Sequence, residues 1–175
     1  MKLLLTGFEP FGGSAVNPSE QVVRALAQER LRRIQLRTAI LPVDRVQGPV
    51  ALVRAIQKYR PDAVLCLGEA GRAAISVERV AINLMDYRIA DNAGNCVTDE
   101  PIAPDGPAAY FVTLPVRAML EAVRSVHVPA ELSLSAGAFL CNQVLYTALH
   151  HIATHQLDTK VGFVHLPSLP ERLCF

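Results

Sequence analysis

The chain has 175 residues and a formal net charge of +1, from 17 basic and 16 acidic side chains. Hydrophobic residues make up 51%, charged residues 19% and the mean hydropathy is +0.26, which excludes intrinsic disorder. The near-balanced charge leaves no electrostatic footprint for nucleic acid or anionic lipid, and no apolar run reaches the roughly 18 residues that a membrane span needs.

A chain of this length can bury roughly 70% of its unfolded surface, which predicts a single domain over residues 1–175. Residues 2–6 read as a buried strand; Gly7 and Glu9 follow too soon for a signal peptide. After a turn-rich stretch, Asn17-Pro18-Ser19-Glu20 supplies an N-cap, a proline at the first helical position and an acid placed for a capping box. That predicts a helix to about residue 29. Residues 34–41 alternate apolar and polar, the pattern of a strand with one wetter face. A helix is predicted over 49–59. The run AVLCL at 63–67, bounded by Pro61 and Gly68, suits a strand covered on both faces. Residues 75–84 look extended, and 91–95 read as a turn. A helix over 115–126, with Thr113 as its cap, precedes a short strand at 131–135 and a small-residue turn at 135–138. A long amphipathic helix over 139–155 and a buried strand over 160–165, stopped by Leu166-Pro167, complete the order. Apolar runs alternating with helical patterns predict an α/β fold.

The four cysteines, Cys66, Cys96, Cys141 and Cys174, show neither CxxC spacing nor a dense framework. Free thiols, a cytoplasmic location and no metal site are expected. A thiol acts as a nucleophile through its thiolate, so its surroundings decide which cysteine could react. Cys66 lies mid-strand between leucines and reads as core. Cys141 follows a strand, a small turn and the first residues of a helix, where free N–H groups and the helix dipole favour an anion or a developing oxyanion. A buried small hydrophobe on a helix is the equal alternative.

A base is also needed. His127 reads as surface. His151 and His155, spaced i, i+4, share a helix face without an HExxH pattern or a third ligand. His165 ends a buried strand where ligands collect in open parallel sheets, and is either the base or a satisfied core histidine. Glu69, Glu78, Asp86 and Asp91 could orient an imidazole. Glu78 sits in an apolar run where a charge needs a partner, a salt bridge to an arginine being the alternative. Gly12-Gly13 lacks a P-loop pattern, so no nucleotide or other cofactor is expected.

Four segments, LLLTGFEPFGG with VNPSE, ISVERVAINL with DYRIADNAGN, SAGAFLCNQVLY and GFVHLPSLPE, occur in an order that resembles the pyroglutamyl peptidase I family of cysteine peptidases. The resemblance implies a three-layer α/β/α sandwich with a twisted, largely parallel sheet. It also implies removal of N-terminal pyroglutamyl residues from peptides without a cofactor, and assembly as a homotetramer. It assigns Glu78, Cys141 and His165 as the triad. Phe8, Phe11, Phe139 and Leu140 fall on the apolar ring pocket, and Arg88 falls on an arginine near the reacting carbonyl. Apolar faces suit a flat, uncharged lactam, and desolvation there would reject a charged N-terminal amine.

Two departures accompany the resemblance. Residues 68–72, Gly-Glu-Ala-Gly-Arg, form a segment one residue shorter than is usual in the family, with Glu69 where Gln is common. The chain also ends at Phe175, soon after the histidine motif. They motivate an alternative, an impaired homologue that binds pyroglutamyl peptides or partners without turnover. A third reading is an α/β hydrolase or phosphorylase acting on another substrate.

Overall fold

The computed structural model of the chain describes residues 1–169, so Cys174 and the end of the last motif lie outside the described residues. Among the described residues, eight strands and four helices follow in the order β1 (Lys2–Phe8), α1 (Pro18–Leu26), β2 (Gln35–Leu41), α2 (Gln47–Tyr59), β3 (Ala63–Ala70), β4 (Ile75–Glu78), β5 (Val80–Ile82), β6 (Ala109–Phe111), α3 (Val116–Ser125), β7 (Ala130–Ser133), α4 (Leu140–Thr154) and β8 (Lys160–Pro167).

Six strands form one sheet in the order β2-β1-β3-β8-β4-β7. Strands β1, β2, β3 and β8 are mutually parallel. Strand β4 runs antiparallel to β8 and parallel to β7, so one edge of the sheet is reversed. Strands β5 and β6 make a separate antiparallel pair.

The period-2 alternation of the strands divides the core between two faces. Leu4, Val64, Cys66, Val161 and Phe163 pack with Leu52 and Ile56 of α2 and with Val144, Leu145 and Leu149 of α4. Leu5, Leu67, Val77 and Val164 pack with Val22, Val23 and Leu26 of α1 and with Val116 and Met119 of α3. The result is the expected three-layer sandwich around a largely parallel sheet.

Local chemistry departs from the sequence reading in several places. Asn17 caps α1 through its side chain, which accepts from the Ser19 N–H at 3.0 Å. Glu20 does not complete a capping box; it pairs with Arg24 one turn on, at 2.6 Å. The helix ends at Leu26 rather than near residue 29. The extended stretch at 75–84 is two strands in two sheets, because the chain leaves the main sheet at Arg79, whose N–H bonds to Ser133 O at 2.9 Å. Thr113 caps no helix: its hydroxyl accepts from the Val161 N–H at 2.8 Å and ties this segment to the start of β8.

Candidate active site

His165 lies in the C-terminal half of β8, with Gly68 of β3 as its register partner on one side and Ser76 of β4 on the other. By strand alternation its side chain shares a face with Val161 and Phe163, the face covered by α4. Its ring packs on Phe163 with centroids 4.8 Å apart. Strand β8 continues to Pro167 rather than stopping at His165, so the imidazole is held by paired backbone on both sides.

Glu78, the last residue of β4, meets His165 from the adjoining strand. Its Oε1 accepts from His165 Nδ1 at 2.7 Å, and both groups are buried. A carboxylate can only accept, so Nδ1 carries the proton and the Nε2 lone pair of a neutral imidazole is left for another partner. The same Oε1 accepts from Arg72 Nη1 at 3.0 Å. Glu78 thus contacts both the histidine and an arginine.

Cys141 is the second residue of α4, after Phe139 at the N-cap and Leu140. Among the described residues no side chain caps this helix start, and the first N–H groups of a helix have no intrahelical partners. The position of the sulfur is fixed by an absence on β3. A Cβ built on Gly68 would stand 2.8 Å from Cys141 Sγ and 2.7 Å from Phe163 Cζ. The sulfur thus rests against bare backbone at the residue in register with His165. Cys141 and His165 line one cavity of about 720 Å³, together with Phe11, Glu69, Arg72, Arg88 and Phe139.

The thiol does not behave as its helix position suggested. Burial, followed by the charge of Glu78 and smaller contributions from Cys66 and Glu69, pushes it up to about 12, against a lowering by Arg72. Cys66 is fully buried on β3, and burial pushes its thiol up to about 12 as well. Cys96 is exposed.

The aromatic wall of the cavity comes from Phe11 and Phe139, whose ring centroids are 6.0 Å apart. Tyr87 meets Phe139 edge-on at 4.7 Å. Phe8 and Leu140, expected in the ring pocket, are 3% and 1% exposed and belong to the main core cluster, so their side chains are committed to packing. Arg88 is exposed and lines the cavity. Glu69 to Arg72 of the unusual 68–72 segment all stand in the cavity wall.

His151, near the end of α4, and His155, its C-cap residue, line a separate cavity of about 550 Å³ with Arg60, Asp62 and Asp158. Asp91 organises its own loop, accepting from the Arg45 N–H at 2.7 Å and the Asn95 N–H at 2.8 Å. Asp86 is exposed.

Sequence reasoning missed Arg72, Gly68 and the buried pair Asn142 and Gln143. Asn142 exchanges bonds with the Ile82 backbone at 2.9 Å each way and donates to Leu84 O at 2.9 Å. Gln143 accepts from the Tyr87 hydroxyl and donates to Arg45 O at 2.8 Å. Two amides directly after a helix-start cysteine were the available signal, since buried amides must find partners.

The family model described as pyroglutamyl peptidase matches residues 1–174. A pyrrolidone-carboxylate peptidase of Vibrio vulnificus is 48% identical over 172 residues, which span 98% of this chain and 80% of that protein. One from Pyrococcus furiosus is 42% identical, with 99% and 84% covered. The crystal structure of Bacillus amyloliquefaciens pyroglutamyl peptidase I is similar with a TM-score of 0.95 at 39% identity, over 99% of this chain and 84% of that one.

Proposed function

Because the chain belongs to the pyroglutamyl peptidase family, we propose that it removes N-terminal pyroglutamyl residues from peptides, with Cys141 as nucleophile, His165 as base and Glu78 as the group that orients the imidazole. The observation that carries these roles is the 2.7 Å bond from His165 Nδ1 to buried Glu78, which turns Nε2 toward service as a base. Binding without turnover finds no support among the relatives, which are named as peptidases.

Burial and the Glu78 charge disfavour the anion of the Cys141 thiol. Its proton therefore passes to His165 Nε2 as the sulfur attacks the pyroglutamyl carbonyl. The new C–S bond places a negative charge on the former carbonyl oxygen, which the free N–H of Cys141 stabilises. His165 returns its proton to the leaving amine as the C–N bond breaks, and a thioester remains. Water, deprotonated by His165, attacks that thioester, and the proton finally returns to sulfur as pyroglutamate leaves. The Glu78 carboxylate, bonded to Nδ1, stabilises the imidazolium. The lactam ring lies against Phe11 and Phe139, where an uncharged group loses little on leaving water and a free ammonium loses much.

Free thiols at Cys66, Cys96 and Cys141 support a reducing compartment, the cytoplasm. The homotetramer implied by resemblance is part of the proposal, and sedimentation tests it.

The activity is tested with a pyroglutamyl-linked fluorogenic amide. Dye release is expected from the wild type, with a loss of roughly a thousandfold or more in Cys141→Ala and in His165→Ala. Equal release by wild type and Cys141→Ala would overturn the assignment.

A further inference from the structure

We propose that Arg72 is a positioning residue of this site, joining the carboxylate that holds His165 to the turn that leads into the helix of Cys141. The proposal rests on the peptidase reading above.

One guanidinium makes three contacts. Arg72 Nη1 donates to Glu78 Oε1 at 3.0 Å and lies 3.1 Å from Ser133 Oγ. Nη2 donates to Ser135 O at 2.8 Å. Ser133 ends β7, and Ser135 stands in the turn between that strand and α4. The fork thus clamps three elements: the segment after β3 that carries Arg72, the end of β4, and the approach to the nucleophile. Arginine suits this because its planar donors can serve several acceptors at fixed angles.

Its charge matters as much as its shape. Glu78 is 0% exposed, and its Oε2 has no hydrogen-bond partner among the described residues. Two cationic or proton-bearing donors, Arg72 and His165, therefore share one oxygen. The charged and titratable groups around them are Glu69 on β3, the Cys141 thiol on α4 and Arg88 in the cavity wall. Glu131 on β7 accepts from Ser76 Oγ at 2.9 Å, beside His165 in register. Among these, Arg72 opposes the acidic side chains at the sulfur, lowering what Glu78 and Glu69 raise.

Removing the guanidinium leaves the full carboxylate charge to the imidazole. His165 then holds a proton to higher pH and is available as a base over a narrower range. The turn before Cys141 also loses its tie to Glu78.

The test compares Arg72→Met and Arg72→Lys. In Arg72→Met the acidic limb of kcat/KM against pH should move up by about one pH unit, and the plateau should fall about tenfold or more. In Arg72→Lys the limb should return toward the wild-type position, while the plateau stays low because the fork to Ser135 is lost. A readout independent of turnover is the NMR titration of the His165 imidazole in a Cys141→Ala background. It should move up on adding Arg72→Met and return with Arg72→Lys. A lower melting temperature with an unshifted limb and unshifted titration would overturn the proposal, as would a downward shift. If Arg72→Met does not fold, Arg72→Lys decides alone: a wild-type plateau would overturn the proposal. An inactive wild type with the expected titration shifts would sink the peptidase reading and leave the Arg72 assignment standing.

Discussion

At Cys141 two effects oppose each other. The helix start favours an anion on the sulfur. Burial first, and the Glu78 carboxylate second, disfavour it and hold the thiol up near 12. The outcome separates two kinds of reactivity. Towards iodoacetamide, which brings no binding energy to the site, exposed Cys96 should alkylate ahead of Cys141 at neutral pH. Cys141 should gain rate well above the roughly 8.5 of an ordinary thiol. Towards an electrophile that carries a pyroglutamyl ring the order should reverse, because in the proposed mechanism ring binding would place the reactive carbon beside the sulfur and His165 would remove the proton in the same step. Site-resolved mass spectrometry after timed labelling reads both rates. Fast iodoacetamide labelling of Cys141 at pH 6 would show a stabilised resting thiolate and contradict the role given to burial.

The elements around the site show which features local sequence carries and which it does not. Residues 63–67 could be read as a buried strand because a continuous apolar run has few other uses, and β3 indeed begins at Ala63. Asn17 could be read as a cap because the cap bond is made within two residues. Strand direction is different: β4 runs antiparallel to β8, a choice made by long-range pairing that no local alternation records. The exit of the chain at Arg79 and the pairing of Ala109–Phe111 with β5 are of the same kind. Phe8 could be assigned to the pocket from its motif, yet it ends a strand that is paired with β2 to its last residue, and it packs inward. Gly68 carries the least local signal, since its role depends on α4, far along the chain. Gly68→Ala tests that role. The added methyl meets the sulfur and a buried ring, both closer than 3 Å, so overpacking should cost about 1–3 kcal/mol. Displacing the sulfur should lower kcat/KM about a hundredfold. Activity close to wild type in Gly68→Ala would show that β3 does not fix the nucleophile.

Across the whole molecule, the pH dependence of stability arises away from the pH dependence of catalysis. Helix α4 carries Cys141 at its start and His151 near its end, roughly 15 Å apart along the axis at 1.5 Å per residue. Burial first, then the neighbouring His155 and His150, lower the His151 pKa below its ordinary 6.5. The unfolded chain therefore takes up this proton before the folded one does. Stability from the buried neutral ring is fully present above 6.5 and is lost as pH falls from there through the folded value. A second loss follows at Asp91. Burial raises its pKa, but bonds from the Asn95 side chain and from the N–H groups of Arg45, Asn95 and Ala93 outweigh this and hold it below 3.8. That contribution is present above 3.8 and lost as pH falls through the lower folded value. Urea midpoints measured from pH 8 to pH 3 should show two descending steps. His151→Gln should flatten the upper step and leave the lower one, with the acidic limb of kcat/KM unmoved because His151 lies outside the proposed catalytic cluster of Glu78, His165 and Arg72. Asp91→Asn should flatten the lower step and reduce the midpoint at neutral pH, where the charged form makes its bonds. A His151→Gln protein whose upper step persists, or whose activity limb moves with it, would show that the two ends of α4 do not titrate independently.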